Sequence, residues 1–166
     1  MLDPEFRRDL YKGTAEDYDR FRERAKDAPT PQEHDRYLYA LTRFRDPSLF
    51  DRTLMATSSD DIRAQDVPFV LARAEFHRDL GPVAWRFVRD HWDDILERIA
   101  PSNVIALSAG IRTLTAPDVV DDVQSFFAAH DIPQNHLMLQ QALERQRVFA
   151  ALRGRTAGEL AARFAG

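Results

Sequence analysis

Apolar residues recur along this chain mostly at spacings of three and four, which is the spacing of residues that share one face of an α-helix. The first such segment places Tyr18, Phe21 and Ala25 on one face. Thr14 precedes it as a predicted N-cap, and Asp17 occupies the capping-box position three residues later. The pattern therefore predicts an amphipathic helix that begins just after Thr14.

The next two segments begin in a similar way. Thr30 is a predicted N-cap, Pro31 suits the first helical position, and Glu33 can complete a capping box. An Asp46–Pro47 pair then opens the third segment. Both starts are followed by apolar residues at helical spacing, so both predict helices.

Strand patterns hardly occur, and the chain predicts about nine helices of roughly ten to twenty residues. Short breaks at Pro or Gly make successive helices antiparallel. Helix pairs that recur about every 30 to 40 residues are typical of a stacked helical solenoid. We therefore expect a single all-α domain over residues 1–166, with residues 1–6 cloning-derived or disordered. The later predicted helices span 66–76, 81–99, 101–111, 116–130, 133–152 and 155–164.

Both tryptophans lie in one predicted helix, together with arginines and a histidine. With a rotation of about 100° per residue, one arc of that helix holds Trp85, Val88, Trp92, Ile95, Leu96 and Ile99. Phe87 points almost opposite, which predicts a second buried contact, and His91 lies on the flank without a second ligand. The stripe is thus interpreted as core, in preference to a nucleic-acid stacking platform or a metal site.

Composition excludes several classes of function. The 166 residues carry a net charge of −4, without the clustered cations that nucleic-acid binding requires, so a HEAT-like DNA-binding protein is disfavoured. The chain lacks an apolar run of about 18 residues for a membrane span, and its start lacks a signal-peptide core. Cysteine is absent, and we expect a cytoplasmic location.

Catalytic and metal-binding motifs are missing from the sequence. None of the five histidines pairs with another at helical ligand spacing, and there is no His-Glu-x-x-His segment. No Gly-rich phosphate loop or Gly-x-Ser-x-Gly elbow occurs, and the acidic clusters at 58–61 and 118–122 are typical of helix starts and solvated faces. We therefore expect the chain itself to be non-catalytic and to bind neither a cofactor nor stoichiometric zinc.

Polar residues that precede an apolar helix at 63–66 admit two interpretations. In the first, Asp66 is an N-cap and Arg63 pairs with a nearby carboxylate, so that the segment only supports the fold. In the second, Arg63 and Gln65 face a cavity at the helix end, where a guanidinium can hold a carboxylate with paired hydrogen bonds. Arg63 and Gln65 are accordingly the candidate substrate-binding residues.

At these residues the chain resembles a known family. Residues 40–54, the Ile-Arg-Ala-Gln-Asp segment at 62–66 and the tryptophan-containing stretch 81–96 follow, in order and spacing, the C-terminal domain of zinc aminopeptidases related to aminopeptidase N. That group includes the puromycin-sensitive and endoplasmic-reticulum aminopeptidases. The resemblance covers roughly residues 14–164; His91 stands where the family usually has Asn.

The resemblance implies a HEAT- or armadillo-like superhelix of antiparallel helices. It also implies that zinc and the catalytic Glu belong to a preceding domain of the same polypeptide. The present domain would enclose the active-site chamber and contact peptide substrate, as part of an enzyme that removes amino-terminal residues. The alternative is a free-standing helical-repeat module that binds a protein or peptide. An apolar docking patch for the catalytic domain is expected, and we place it on the early helices, at Tyr11, Tyr18 and Phe21.

Overall fold

The protein, seen in a computed structural model that describes residues 13–164, with side chains through Ala157, is built from helices. Its described part contains no β-strand, which confirms the predicted all-α class. Three 3₁₀ segments, Pro101–Ser108, Ile111–Thr113 and Pro133–Asn135, lie between or beside the α-helices. The α-helices are α1 Ala15–Lys26, α2 Pro31–Leu41, α3 Pro47–Ala56, α4 Val67–Glu75, α5 Gly81–Asp90, α6 Trp92–Arg98, α7 Pro117–Ala129 and α8 His136–Phe164.

Successive elements pack on one another. The helix α2 packs on α1, α4 packs on α5 and on the segment Pro101–Ser108, and α8 packs on α7 and on all three 3₁₀ segments. This stacking is consistent with the expected superhelix of antiparallel helices. Residues 1–12 and 165–166, which include the proposed cloning-derived start, lie outside the described residues.

The predicted helix starts are confirmed at atomic detail. Thr14 accepts a hydrogen bond from the Asp17 N–H at 3.1 Å, and the Asp17 carboxylate accepts one from the Thr14 N–H at 3.2 Å, which completes the capping box. Thr30 accepts from the Glu33 N–H at 3.3 Å. Asp46 accepts from the first N–H groups of α3. Such caps are each worth about 1 kcal/mol, and they work because their partners are neighbours in sequence.

Three predicted elements differ in the structure. The predicted helix at 101–111 is 3₁₀ through Ser108, and the chain then brings Gly110 against α4. The two predicted helices at 133–152 and 155–164 are joined in α8, because nothing crowds Gly154 and a lone glycine costs a helix only about 1 kcal/mol. The predicted helix at 81–99 is divided at His91. Nδ1 of the His91 ring lies 2.9 Å from the carbonyl oxygen of Phe87. The backbone N–H of His91 donates to the same oxygen.

The tryptophan stripe is core, as predicted. Trp85 and Trp92 are buried, and both rings contact Phe126 and Phe127 of α7 at centroid distances between 5.3 and 5.7 Å. Leu96 is the exception within the predicted arc, since 36% of it stays exposed after the break at His91.

Polar groups at the edge of this core are paired. The Trp85 indole N–H donates to the Asp122 carboxylate at 2.6 Å, and the Arg89 guanidinium donates to both oxygens of the same carboxylate at 2.9 Å. Phe87 is buried on the other side and stacks on the His91 ring, which confirms the second contact. The arginine and the aspartate therefore fix how α5 meets α7.

A carboxyl group lies unexpectedly in the core at the end of α4. Glu75 is fully buried, and in the described part of the chain neither of its side-chain oxygens has a hydrogen-bond partner. A Cβ on Gly110 would lie 2.4 Å from the Glu75 Cβ and Oε2, and one on Gly81 would lie 2.4 Å from the Glu75 carbonyl oxygen. Only glycine permits this close packing. Burial raises the pKa of Glu75 well above its ordinary value of 4.5.

Replacing Glu75 by glutamine should remove a pH dependence of stability. At acidic pH the carboxyl group is neutral in both states. As the pH rises past 4.5, only the unfolded chain ionises, so the free energy of unfolding falls until the pH reaches the raised pKa of the folded state. The loss is up to about 1.4 kcal/mol per pH unit, and Glu75→Gln abolishes it.

Urea unfolding at about pH 5 and about pH 8 measures this difference. Glu144→Gln, which changes an exposed carboxylate on α8, is the matched control. Its effect on the free energy of unfolding should differ little between the two pH values. If Glu75→Gln changed the free energy of unfolding by the same amount at both pH values, the assignment of a neutral buried acid would be wrong.

Candidate functional site

A groove of about 590 Å³ opens between α1, α2 and the link that joins α3 to α4. The apolar floor of this groove includes Tyr18, Leu38 and Ile62, which are buried. Its charged lining has more carboxylates than cations: Asp19, Glu23, Asp60, Asp61 and Asp66 against Arg22, Lys26 and Arg63. The groove is thus a mixed but predominantly acidic surface.

Arg63, the first candidate residue from the sequence, lies on the wall of this groove. Its side chain is 60% exposed, with Nη2 3.2 Å from Nδ1 of His34 and Nε 3.9 Å from Oδ2 of Asp66. A guanidinium has five N–H donors. These contacts therefore leave donors of Arg63 available toward the groove.

Gln65, the second candidate, is exposed and is not among the residues that line the groove. The chain turns between the two positions, because the N–H groups of Asp66 and Val67 both donate to the carbonyl of Arg63. The structure thus separates two residues that the sequence placed together.

Asp66 occupies the N-cap position of α4 but does not cap with its side chain. Its backbone has helical torsions (φ −91°, ψ −22°), whereas a capping side chain needs an extended residue. The carboxylate instead points to His34, with Oδ2 3.2 Å from Nε2, and the residue is only 8% exposed. The predicted side-chain cap is therefore wrong, while the predicted pairing of Arg63 with a nearby carboxylate is confirmed by its contact with Asp66.

His34 links three elements. Its Nδ1 lies 2.8 Å from the carbonyl oxygen of Ala25 in α1, and its Nε2 faces Asp66 at the start of α4. Asp35 follows it in α2, and one donor atom from each of His34, Asp35 and Asp66 lies within 4.8 Å of the others. Arg63 and Asp66 are 29 and 32 positions from His34 in the sequence. Helical periodicity relates only residues within one helix, so the sequence did not predict that these residues meet.

A second exposed feature is an apolar stripe on α8. Leu137, Met138, Val148, Phe149 and Leu152 are between 46% and 70% exposed, and at about 100° per residue they fall within one arc of about 120°. Exposed Gln141 and Arg145 lie on the same arc between the first two and the last three. The opposite face, with Leu139, Leu143 and Gln146, is buried on the domain.

The expected docking patch on the early helices is wrong in its position. Tyr18 and Phe21 are buried between α1 and its neighbours, because their rings pack on Phe44. Tyr11, the third residue named from the sequence, lies outside the described residues. The stripe on α8 holds five of the eight large apolar side chains that are exposed in the described part of the chain.

Comparison with known proteins agrees with this architecture. Residues 2–148 match the family described as the ERAP1-like C-terminal domain. The chain belongs to that family. The prediction that it is the C-terminal helical domain of an aminopeptidase N-like enzyme is thereby confirmed at the level of the family.

Named relatives are aminopeptidases. The chain is 26% identical over 137 residues to "Aminopeptidase 2, mitochondrial" of Saccharomyces cerevisiae and 27% identical over 135 residues to "Aminopeptidase M1-B" of Oryza sativa subsp. japonica. Each match covers 80% of this chain but only 14% and 15%, respectively, of the relative. "Aminopeptidase M1" of Arabidopsis thaliana is 24% identical over 160 residues, which is 90% of this chain and 18% of the relative.

Among residues 13–164, none of the helices combines the length and the apolar character that a bilayer crossing requires.

His34→Ala should destabilise the domain by about 1–3 kcal/mol, because it removes the contacts of α2 with α1 and α4 and leaves the buried Asp66 carboxylate without its ring partner. Urea unfolding at neutral pH measures the loss. His136→Ala is the matched control, because His136 also contacts an aspartate, Asp131 at 2.9 Å, but on the exposed surface. Its cost should be below about 1 kcal/mol. Equal losses for the two variants would show that His34 does not join these helices.

Proposed function

We propose that this chain is the non-catalytic C-terminal domain of a zinc aminopeptidase, in which it encloses the active-site chamber and helps to select and orient peptide substrates. The family match over residues 2–148 carries the proposal. The relatives support it, because the chain corresponds to about one seventh of their length. Zinc and the catalytic groups would then lie in another part of the same polypeptide, which we call the parent enzyme, at a cytoplasmic location.

The acidic groove is the surface that would contact peptide. Arg63 stands on its wall with an exposed guanidinium, backed by His34 and Asp66. A planar guanidinium can hold a carboxylate or backbone carbonyls at the far end of a peptide through paired hydrogen bonds. The surrounding carboxylates would at the same time favour peptides with basic side chains. Gln65, exposed beside the groove, would contact only ligands that extend past its rim.

Docking on the rest of the parent enzyme would use the apolar stripe of α8. Most of the length of the relatives lies outside the matched region, so a large partner surface on the same polypeptide is available. An uncovered apolar helix face is typical of an interface between domains. The buried face of α8 already anchors the helix, since Gln146 donates to the Leu114 carbonyl oxygen and accepts from Gln124, both at 3.0 Å. These contacts fix the orientation of α8, so its exposed apolar side chains keep a constant position on the domain surface.

In the parent enzyme, Arg63→Ala should reduce turnover of short peptides while sparing aminoacyl amide reporters, which have no distal carboxylate. Loss of a charged hydrogen bond should lower kcat/KM for the peptides by an amount that corresponds to roughly 1–3 kcal/mol of activation free energy. The measurement is the ratio of peptide to reporter kcat/KM. Arg78→Ala, which removes an almost fully exposed arginine outside the groove, is the control and should leave the ratio unchanged. A lower melting temperature with an unchanged ratio would assign Arg63 to the fold alone.

Leu152→Asp should destabilise the parent enzyme more than the isolated chain. In the isolated chain this side chain is 49% exposed, so the substitution costs part of the burial of one leucine and up to about 0.7 kcal/mol of helix propensity. In the parent, a charge would be placed in a buried interface and the melting temperature of the enzyme should fall by several degrees. Met55→Asp, at an exposed methionine of α3, serves as the control. An unchanged melting temperature of the parent with Leu152→Asp would exclude docking on this stripe.

A further inference from the structure

Both ring nitrogens of His34 make polar contacts. Nδ1 lies 2.8 Å from the carbonyl oxygen of Ala25 and 3.2 Å from Nη2 of Arg63. Nε2 faces Oδ2 of the Asp66 carboxylate at 3.2 Å. An imidazole nitrogen and a carboxylate oxygen at this distance can share a hydrogen, or both can ligate one metal ion.

The geometry suits a metal ion. Two ligands bound tetrahedrally to Zn²⁺ at about 2.0–2.1 Å lie roughly 3.3 Å apart, and Nε2 of His34 and Oδ2 of Asp66 are 3.2 Å apart. Asp35 offers a third donor atom, and all three donors lie within 4.8 Å of one another. Because Asp35 is only partly buried, its carboxylate can turn toward the other two.

The surroundings supply two further features of zinc sites. A ligating histidine normally donates its other ring N–H to a carbonyl or carboxylate, which fixes its tautomer and orientation, and Ala25 provides that carbonyl. The groove that His34 and Asp66 line also has an excess of carboxylates, which attracts cations.

We propose that His34, Asp35 and Asp66 form a binding site for a divalent transition metal, with Zn²⁺ as the ion that suits one imidazole and two carboxylates. A fourth position would be open toward the groove. The proposal replaces the expectation, drawn from helical spacing alone, that the chain binds no zinc, since these ligands come from α2 and from the N-cap position of α4. It is independent of the aminopeptidase function and assigns no catalytic step to the ion.

The guanidinium of Arg63 lies next to the proposed metal ligands and affects how strongly they can bind an ion. This group lies 3.2 Å from the His34 ring and 3.9 Å from Asp66, so it is the cation that now balances the cluster. A metal ion on the same groups would be repelled by it. Because the Arg63 side chain is 60% exposed, it can move away, but at a cost in metal affinity. Arginine and metal are therefore competitors for Asp66.

The test is calorimetric titration of the 166-residue chain, freed of metal with a chelator, with Zn²⁺ alone. One ion should bind per chain. His34→Ala and Asp66→Asn should each weaken binding at least about 100-fold, which is the upper end of the effect of removing an outer-shell partner. Asp35→Asn should weaken binding without a change in melting temperature, and Arg63→Ala should strengthen it several-fold. Co²⁺ as a spectroscopic probe should give the visible bands of four-coordinate cobalt in the wild type, and these bands should be absent in His34→Ala.

The control is again the exposed pair of His136 and Asp131. His136→Ala should leave Zn²⁺ binding unchanged. Absence of stoichiometric Zn²⁺ binding in the wild type would overturn the proposal. So would Zn²⁺ binding that survives Asp35→Asn and His34→Ala, or an Arg63→Ala variant that binds more weakly.

Discussion

Trp85 packs its ring against Phe126 and Phe127 while its indole N–H donates to Asp122, and Arg89 closes the same carboxylate from the solvent side. Apolar burial supplies most of the free energy of such a contact, but it does not by itself fix orientation. The hydrogen bonds to Asp122 do, because a partly desolvated carboxylate that lost them would be costly. Through this contact α5 positions α7, on which α8 packs, and α8 in turn closes over the 3₁₀ segments that cover α4.

Features that depend on neighbours in sequence could be predicted from the sequence. Thr14 and Asp17 are three residues apart, and their reciprocal hydrogen bonds follow from that spacing. Burial of Trp85 and Trp92 likewise follows from the helical period. The break at His91 could not be read from the pattern, because the apolar spacing continues across it to Trp92 and Ile95. The 3₁₀ segment Pro101–Ser108 packs on α4, which is distant in sequence, so no local pattern reports this environment.

The candidate site was predictable only in part, for the same reason. A polar segment before α4 drew attention to Arg63, and the structure places Arg63 on a groove. Its partner His34 lies on another helix, and no local pattern connects them. Asp66 was assigned to capping because Asp before an apolar helix usually caps. Here its carboxylate is drawn to the His34 ring, and α4 starts without a side-chain cap.

The two exposed features of the domain have opposite chemistry and are formed by different elements. The groove is made by α1, α2 and the link before α4, and it is acidic. The stripe on α8 is apolar and belongs to a helix that packs on α7 and on the 3₁₀ segments. A large partner gains free energy mainly by covering apolar area, whereas a small charged ligand needs fixed polar groups that remain accessible to solvent. Formation of the two surfaces by separate helices allows the stripe to be covered permanently while the groove stays open to exchanging ligands.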